Sequence, residues 1–226
     1  MGLSEDSEAG GNSNAEPVDV TFAELVALAR AFAVPGSRRI LGIVGAPGVG
    51  KSALAEQLVA ALTPGLAICV PMDGFHLSNE TLEGRGSRER KGAIDTFDDG
   101  GYAALLGRLR QQDAGEGAIY APEFRRNLEQ SIGSAVPIDP DIPLVITEGN
   151  YLLQDTGAWP RARACMDETW YLLADEAVRQ ERLIARHASY GRTAAEARMW
   201  ALGSDEQNAR LIKVSASRAD RILRLV

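Results

Sequence analysis

The chain has 226 residues, of which 45% are hydrophobic, and a formal net charge of −7. This length is enough to bury a substantial core in one domain, and no apolar run approaches the roughly 18 residues of a membrane span. Residues 1–19 hold five of the 31 acidic residues and no lysine or arginine. The remaining 26 acids are nearly balanced by 24 basic residues, so the composition predicts neither a nucleic-acid partner nor a membrane partner.

The first 19 residues are also rich in Gly, Ser and Asn, and this composition predicts a disordered acidic tail rather than a secretory signal. The two cysteines, Cys69 and Cys165, are far apart in sequence, and no Cys/His pattern has zinc-binding spacing. We therefore expect two buried free thiols in a reducing cytoplasm. Residues 20–226 are expected to form a single domain, because they contain neither an internal repeat nor a linker.

Strands and helices are predicted to alternate after the tail. Thr21 and Glu24 have the spacing of a capping box, so a first helix is expected from Thr21 to about Val34. An apolar run predicts a buried strand at 40–44, and three leucines four residues apart predict one apolar face of a helix over 53–62. Further strands are predicted at 66–70, 143–147, 168–173 and 221–226. Further helices are predicted at 99–112, 175–187 and from 193 toward 213, and a loop at 78–96. The alternation indicates a parallel sheet covered on both faces.

A glycine-rich segment joins the strand at 40–44 to the helix at 53–62. It reads Gly45-Ala46-Pro47-Gly48-Val49-Gly50-Lys51-Ser52 and matches G-x-x-x-x-G-K-[ST], the phosphate-binding loop or P-loop. Its glycines allow backbone N–H groups to converge on phosphate oxygens, and the helix dipole adds a favourable field. We therefore predict a nucleoside triphosphate site, in which these eight residues and Ala53 contact the nucleotide.

Two carboxylates follow predicted strands, at the sheet edge where ligands of parallel sheets gather. Glu148 follows the third of these strands and, with the Ser52 hydroxyl, could hold Mg²⁺ beside the phosphates. The alternative is a carboxylate that caps the next helix. Asp73 closes the second strand and could take the proton of an acceptor hydroxyl. The alternative here is an ordinary turn with Gly74.

Several segments resemble one group of kinases. Residues 72–76, Met-Asp-Gly-Phe-His, resemble the strand-two motif of the uridine kinase, phosphoribulokinase and bacterial pantothenate kinase group. Residues 92–98 resemble its Gly-x-Pro-x-x-Phe/Tyr-Asp segment, with Ile94 where proline or alanine is usual. Residues 120–125 resemble its Tyr-x-x-Pro-x-Tyr/Phe-Asp stretch, with Arg125 where many members carry Asp.

The end of the chain extends this resemblance. Residues 208–220 are similar to the closing region of the pantothenate kinase branch. The subgroup called nucleoside/nucleotide kinase family or fructose-transport-system kinase is the most similar one. Its Pro-Met-Asp-Gly-Phe-His-Leu, Glu-Gly-Asn-Tyr-Leu-Leu and Asp-Glu-x-Asn-Ala stretches all occur here. The resemblance spans roughly residues 38–226 in collinear order.

This resemblance implies an α/β fold of the P-loop kinase type, with three layers (α/β/α), a parallel five-stranded core sheet and a helical lid. ATP would be the phosphoryl donor, with Mg²⁺, and a hydroxyl of a small molecule the acceptor. The lid is expected in a basic segment that is mobile until ATP and acceptor bind, with Arg182 and Arg186 closing over the transferred group. Its basic residues are Arg179, Arg182, Arg186, His187 and Arg192. The first three lie at i, i+3 and i+7, so one face of a helix would present three guanidiniums. The alternative is a solvated face that pairs with Glu176 and Glu181.

The resemblance also implies roles for individual residues. Lys51 would bridge the β- and γ-phosphates, Asp73 would be the base, and Arg218 would contact ATP. The acceptor would contact a set of polar and aromatic residues: His76, Tyr120, Arg125, Asn150, Tyr151 and Asn208. For His76 the alternative is a turn cap, and for the aromatic residues it is a place in the core.

The sequence leaves the acceptor open between a sugar such as fructose, pantothenate and a nucleoside. Four cations would suit a phosphate-bearing acceptor or would equally be surface charge: Arg90, Lys91, Arg125 and Arg126. A regulatory GTPase is disfavoured, because no Asn-Lys-x-Asp tetrapeptide occurs. A catalytically silent nucleotide-binding protein remains an alternative, and the oligomeric state, a homodimer included, is open.

Overall fold

A computed structural model describes residues 16–62, 64–189, 191 and 193–226. The strands are β1 (Val18–Val20), β2 (Arg39–Val44), β3 (Ala67–Cys69), β4 (Ile119–Arg125), β5 (Gln130–Ile138), β6 (Leu144–Gly149), β7 (Glu168–Leu173) and β8 (Arg221–Leu225). The α-helices are α1 (Phe22–Phe32), α2 (Lys51–Ala61), α3 (Asn79–Gly84), α4 (Asp99–Gln111), α5 (Trp159–Arg163), α6 (Glu176–Ser189), α7 (Ala194–Leu202) and α8 (Ser204–Val214). Short 3₁₀ helices lie at Met72–Phe75, Arg88–Arg90, Ile94–Thr96 and Ser215–Arg218.

Within the described residues, six parallel strands form the central sheet in the spatial order β1, β8, β7, β2, β6, β3. Successive side chains of β2 point to opposite faces: Ile40 and Val44 pack into one core cluster with α4 and α5, whereas Leu41 and Ile43 pack into another with α1 and α2. The predicted α/β fold with a parallel sheet covered on both faces is confirmed. Because β2 lies between β6 and β7, the loop at its end occupies the middle of one sheet edge.

The first strand corrects two predictions. β1 pairs in parallel with residues 223–225 of β8, so the sheet has one strand more than the five expected for the core. The predicted tail also ends too late, because Asp19 lies in β1 and contacts Arg224 at 2.9 Å. A strand of three residues is too short for alternation to reveal it. Residues 1–15, the rest of the predicted tail, lie outside the described part of the chain.

The helices largely follow the prediction. The capping box of α1 is confirmed, with Thr21 accepting from the Glu24 backbone N–H. The stretch 78–96, predicted to be a loop, contains α3, in which Leu82 is the buried residue, so no apolar stripe marks this helix in the sequence. The helix predicted from 193 toward 213 is instead two helices that meet at Gly203. No helix in the described ranges is long and apolar enough to cross a membrane.

The antiparallel hairpin of β4 and β5 was not predicted. Pro122 lies at a register shift in β4, and Ser134 in β5 has a positive φ of 57°. Such turn-like features hide a strand in the sequence. The hairpin packs on the 3₁₀ turn Met72–Phe75: a Cβ on Gly74 would lie only 2.4 Å from the carbonyl oxygen of Pro122. The close approach at Gly74 therefore requires glycine.

The two cysteines are free, as predicted, although each is half-buried rather than fully buried. Burial raises the pKa of both thiols. A thiol with a raised pKa stays protonated and is a poor nucleophile. Neither cysteine is therefore a candidate for covalent catalysis.

Candidate active site

The P-loop connects β2 to α2 in a conformation that requires glycine. Gly48 and Gly50 have φ values of 84° and 101°, a region that other residues rarely adopt. A Cβ on Gly48 would lie 2.7 Å from the carbonyl oxygen of Arg179, so α6 packs directly on the loop. No side chain in the described structure caps the N-terminus of α2 at Gly50. The first N–H groups of α2 therefore form an anion-binding terminus.

Lys51 begins α2 and is buried, with 7% of its surface exposed. Its Nζ donates to the carbonyl oxygen of Ala46 at 3.2 Å, which curls the side chain back over the loop. Burial lowers the pKa of Lys51 to about 8, against the opposing effect of the Glu148 and Asp73 carboxylates. The ammonium is thus poorly solvated. Bound phosphate oxygens would supply the negative charge and hydrogen bonds that replace the lost water.

The lowered pKa predicts proton uptake when ATP binds. Above about pH 8 a growing fraction of Lys51 is neutral in the free protein. Phosphate charge favours the ammonium form and raises its pKa, so binding at such pH draws a proton from solvent. Calorimetry of ATP binding in buffers of different ionisation enthalpy measures this proton. The uptake should disappear in Lys51→Met, and buffer-independent heats in the wild-type protein above pH 8 would contradict the assignment.

Glu148 and Ser52 meet beside the P-loop. The Ser52 hydroxyl donates to Glu148 Oε1 at 2.9 Å, and Glu148 is 5% exposed. Burial and the charge of Asp73 raise the pKa of Glu148, whereas Lys51 and Ser52 oppose the rise. The Ala158 N–H at the start of α5, the next helix, is bound by Asp99 at 2.6 Å. The alternative of a helix cap is therefore not what the geometry shows.

Glu148 and Ser52 fit a divalent metal ion. A buried carboxylate and a hydroxyl are the hard oxygen donors that Mg²⁺ takes. In the described ranges, no group of three or more His, Cys, Asp or Glu side chains could hold a metal by itself. This small donor set suits Mg²⁺, which usually binds one or two protein side chains together with phosphate oxygens and water.

Asp73 lies in the 3₁₀ turn after β3, at the same sheet edge. Its side chain is 31% exposed, and its Oδ2 lies 3.5 Å from Nη2 of Arg126. Its charge raises the pKa of both Lys51 and Glu148, which places the three groups within electrostatic range of one another. The structure thus brings the predicted base, the P-loop lysine and the predicted metal ligand into one cluster.

Two predicted acceptor contacts instead support the turn and the core. His76 packs between the tilted rings of Phe97 and Phe124, with ring centroids 4.1 and 4.7 Å away. Its Nδ1 lies 2.8 Å from the carbonyl oxygen of Asp73. Burial lowers the pKa of His76, so the ring favours its neutral form and holds the Asp73 turn. Tyr151 is fully buried and donates to the Gly92 carbonyl at 2.7 Å. Its predicted place in a pocket wall is wrong.

The other predicted contacts lie in varied places. Tyr120 is 55% exposed, and Arg125 pairs with Glu123 at 2.6 Å. Arg218 donates to the carbonyl oxygen of Leu153 at 3.1 Å and also pairs with Asp155. Two residues are half-buried, Asn150 and Asn208. Of the two adjacent arginines it is Arg126, not Arg125, that reaches Asp73.

The basic segment divides into an anchored part and an exposed part. Arg179 is 3% exposed, and its Nη1 donates to the P-loop carbonyl of Pro47 at 3.0 Å. Its Nη2 pairs with Glu206 of α8 at 2.5 Å and also with Glu176. The expectation of three guanidiniums on one open face is therefore wrong for Arg179, which joins α6 and α8 to the P-loop.

The exposed part faces the phosphate-binding region. Arg182 and Arg186 are exposed, and Nη1 of Arg182 lies 3.8 Å from the position that a Cβ on Gly50 would take. The charge of Arg186 contributes to lowering the pKa of Lys51. His187 instead contacts Asp205 of α8 at 2.6 Å. Arg192 lies outside the described residues.

The anchoring of Arg179 predicts a difference in stability between neighbours on α6. Arg179→Met should lower the free energy of unfolding by about 2 kcal/mol, because it removes charge-assisted hydrogen bonds and leaves Glu206 without its partner. Arg182→Met, which replaces an exposed arginine on the same helix, should change it by less than about 0.5 kcal/mol. Urea unfolding of both variants measures this, and equal effects would contradict the anchoring role.

The fold and this cluster define a P-loop nucleotide-binding protein, and comparison with known proteins narrows the class. No family model matches the chain. The Escherichia coli K12 protein YggC, named an uncharacterized protein, is 31% identical over 195 residues, which cover 84% of this chain and 79% of YggC. The Schizosaccharomyces pombe protein named "Putative uridine kinase C227.14" is 31% identical over 167 residues, 70% of each chain.

Comparison with a solved structure supports the same class of protein. The crystal structure described as a "putative fructose transport system kinase" from Silicibacter sp. TM1040 is 35% identical and superposes with a TM-score of 0.79, covering 92% of this chain and 100% of that chain. The chain belongs to the P-loop kinases of the group that contains uridine kinase-like and pantothenate kinase-like proteins.

Proposed function

We propose that the chain transfers the γ-phosphoryl group of ATP to a hydroxyl of a small molecule. The observation that carries the proposal is the convergence of Lys51, the Ser52–Glu148 pair and Asp73 at one edge of the sheet. A nucleotide-binding protein without catalysis needs the P-loop but not a carboxylate placed across from it. Asp73 therefore favours a kinase over a catalytically silent binding protein.

Each residue of this cluster has a separate role in the proposed transfer. The α2 terminus and Lys51 hold the phosphates of ATP. The acceptor hydroxyl gives its proton to Asp73 while its oxygen forms a bond to the γ-phosphorus. The bond from that phosphorus to the bridging oxygen breaks, and ADP leaves with the electron pair. Ser52 and Glu148 would hold Mg²⁺, which would neutralise phosphate charge when bound.

We further propose that the exposed part of α6 closes over the phosphates. Guanidinium groups suit the oxygens of a transferring phosphoryl group, and Arg182 and Arg186 are exposed on the P-loop side of the helix. Closure would also exclude water, which would otherwise compete with the acceptor.

Hydrogen exchange over α6 tests this closure. Amides near the anchored Arg179 should already exchange slowly in the free protein, whereas those from 182 to 189 should exchange faster. ATP together with an acceptor should slow exchange in 182–189. If exchange in that stretch is equally slow with and without both ligands, the closure is rejected. Arg182 and Arg186 would then be ordinary solvated surface residues.

The acceptor is proposed by class. The structural relative from Silicibacter is named for fructose transport, so a sugar such as fructose is the first candidate. Uridine kinase and pantothenate kinase relatives make a nucleoside and pantothenate the alternatives. ATP turnover with each acceptor, compared with turnover without any, is the test. Stimulation by one class supports the proposal, and turnover that no hydroxyl compound stimulates favours the silent binding protein. Two free thiols also favour a cytoplasmic location.

A further inference from the structure

The β4–β5 hairpin forms a wall beside Asp73, because it packs on the 3₁₀ turn Met72–Phe75 that carries this residue. The hairpin is fixed to that turn by the close contact of Gly74 with Pro122 and by the tilted contact of the Phe124 and His76 rings. The Ser131 hydroxyl adds a hydrogen bond to the carbonyl oxygen of His76 at 3.3 Å. The residue that follows β4 is therefore held beside Asp73 rather than carried on a free loop.

That residue is Arg126. Its Nη2 approaches Asp73 Oδ2 at 3.5 Å, and its side chain is 41% exposed. This distance is at the long limit of a hydrogen bond, and a partly exposed pair of this kind contributes little stability. Its charge opposes the rise in the pKa of Glu148 and contributes to the lowered pKa of His76. Arg126 is thus a partly exposed cation beside Asp73.

Lys91, the residue after the 3₁₀ helix Arg88–Arg90, supports the same wall. Its Nζ donates to Asn79 Oδ1 at 2.6 Å and to the carbonyl oxygen of Glu129 at 2.5 Å, and it lies 5.1 Å from the centre of the Phe124 ring. These contacts tie the hairpin turn, residues 126–129, to α3. The turn that carries Arg126 is therefore held from two sides.

A guanidinium beside the proposed base is placed to contact the acceptor that Asp73 would deprotonate. A neutral acceptor would offer it only neutral hydrogen-bond partners, which bind a guanidinium more weakly than an anion does. An acceptor with an anionic group would offer the guanidinium the planar, two-pronged partner that arginine binds best.

We infer that Arg126 binds a carboxylate or phosphate group of the acceptor, and that it exchanges its long contact with Asp73 for this stronger pair. The inference rests on the kinase function proposed above. It commits to an anionic acceptor, so a sugar phosphate or a hydroxy acid replaces the free sugar as the first candidate and also precedes a nucleoside.

Matched pairs of acceptors that differ in the anionic group test this inference. Glycerate with glycerol and pantothenate with panthenol test a carboxylate, and fructose 6-phosphate with fructose tests a phosphate. In the pair that supports transfer, the anionic member should have the higher kcat/KM. Arg126→Gln should raise KM for the anionic member by about 10- to 100-fold, as expected for lost hydrogen bonds to a charged group. The variant should therefore also reduce the difference in kcat/KM between the two members of the pair.

Two further variants make the result specific. Arg126→Lys keeps the charge and should retain part of the preference, which shows that a loss in Arg126→Gln is not misfolding. Arg108 lies on α4, nine residues or about 14 Å along that helix from its first residue, Asp99. Arg108→Gln makes the same charge change there and should leave the preference for the anionic acceptor intact. Equal loss in Arg108→Gln and Arg126→Gln would overturn the inference.

Binding separates this inference from the proposed function. Calorimetry with a non-hydrolysable ATP analogue measures the binding of each pair. If transfer prefers the neutral members and Arg126→Gln does not change it, the kinase function is supported and the inference of an anionic acceptor is overturned. Binding of an anionic member that is lost in Arg126→Gln, with no transfer to any acceptor, would support the anion site and reject the kinase. Absence of binding and transfer for every anionic member would overturn the inference.

Discussion

Lys51→Met should lower the rate of phosphoryl transfer by about two to three orders of magnitude, the usual loss when a preorganised charge is removed from an active site. Methionine matches the length and the buried stem of lysine but carries no charge at the β- and γ-phosphates. A steady-state assay of ADP release in the presence of acceptor measures the effect.

The same substitution should not harm the fold. The ammonium of Lys51 is buried, and its pKa is lowered by that burial, so the charged form is disfavoured in the folded state. A methionine there should therefore leave the thermal midpoint unchanged or raise it. A stable variant with undiminished transfer would contradict the role of Lys51, and a variant that unfolds would contradict the account of its burial.

Asp73→Asn should lower turnover by about two to four orders of magnitude, the scale of losing a general base. The amide keeps the size of the side chain but cannot take the acceptor proton. ATP affinity should change little, because Asp73 lies across from the P-loop rather than within it. Single-turnover kinetics and ATP binding together separate the two effects.

A matched control makes the Asp73 result interpretable. Asp113→Asn makes the same change at an exposed position between α4 and β4, and we expect wild-type turnover. If Asp73→Asn also turns over at the wild-type rate, another group takes the proton. The carboxylates of the resembling segment 92–98, Asp95 and Asp98, would then be examined, although Asp95 pairs with Arg90 at 2.5 Å and Asp98 caps α4.

The parts of the site that could be predicted are those with a local cause. The P-loop is a contiguous motif, and its glycines, lysine and serine lie where the spacing predicts them, between the end of β2 and the start of α2. Asp73 and Glu148 follow buried apolar runs, and the ends of parallel strands meet at one sheet edge. In each case a few neighbouring residues contain the information, so the sequence was sufficient.

The parts that could not be predicted depend on packing between distant segments. Helical spacing predicts Arg179 and Arg182 on one face of a helix. It does not reveal that Arg179 is buried by its contacts with the P-loop carbonyl and with Glu206. Arg125 and Arg126 are adjacent and alike, and only the end of β4 within an irregular hairpin decides which one reaches Asp73. Tyr151 is aromatic and follows a strand, which suits a pocket and a core equally.

The edge of the sheet shows the same limit. β1 has three residues, and its register is set by pairing with β8, some 200 residues later in the chain. Its one acidic residue, Asp19, continues the acidic run of the tail, so neither periodicity nor charge distinguishes the last residues of the tail from the strand. Long-range pairing of this kind leaves no trace in a short window of sequence.

The central claim is that the γ-phosphoryl group of ATP moves to a hydroxyl of a small molecule. The most direct measurement incubates the purified chain with Mg²⁺, γ-labelled ATP and the acceptor panel, and follows the label by chromatography and mass spectrometry. We predict label in one phosphorylated acceptor, formed in step with ADP by the wild-type chain and strongly reduced in Asp73→Asn and Lys51→Met. Label that stays in ATP or passes only to inorganic phosphate, with every acceptor class present, would contradict the claim.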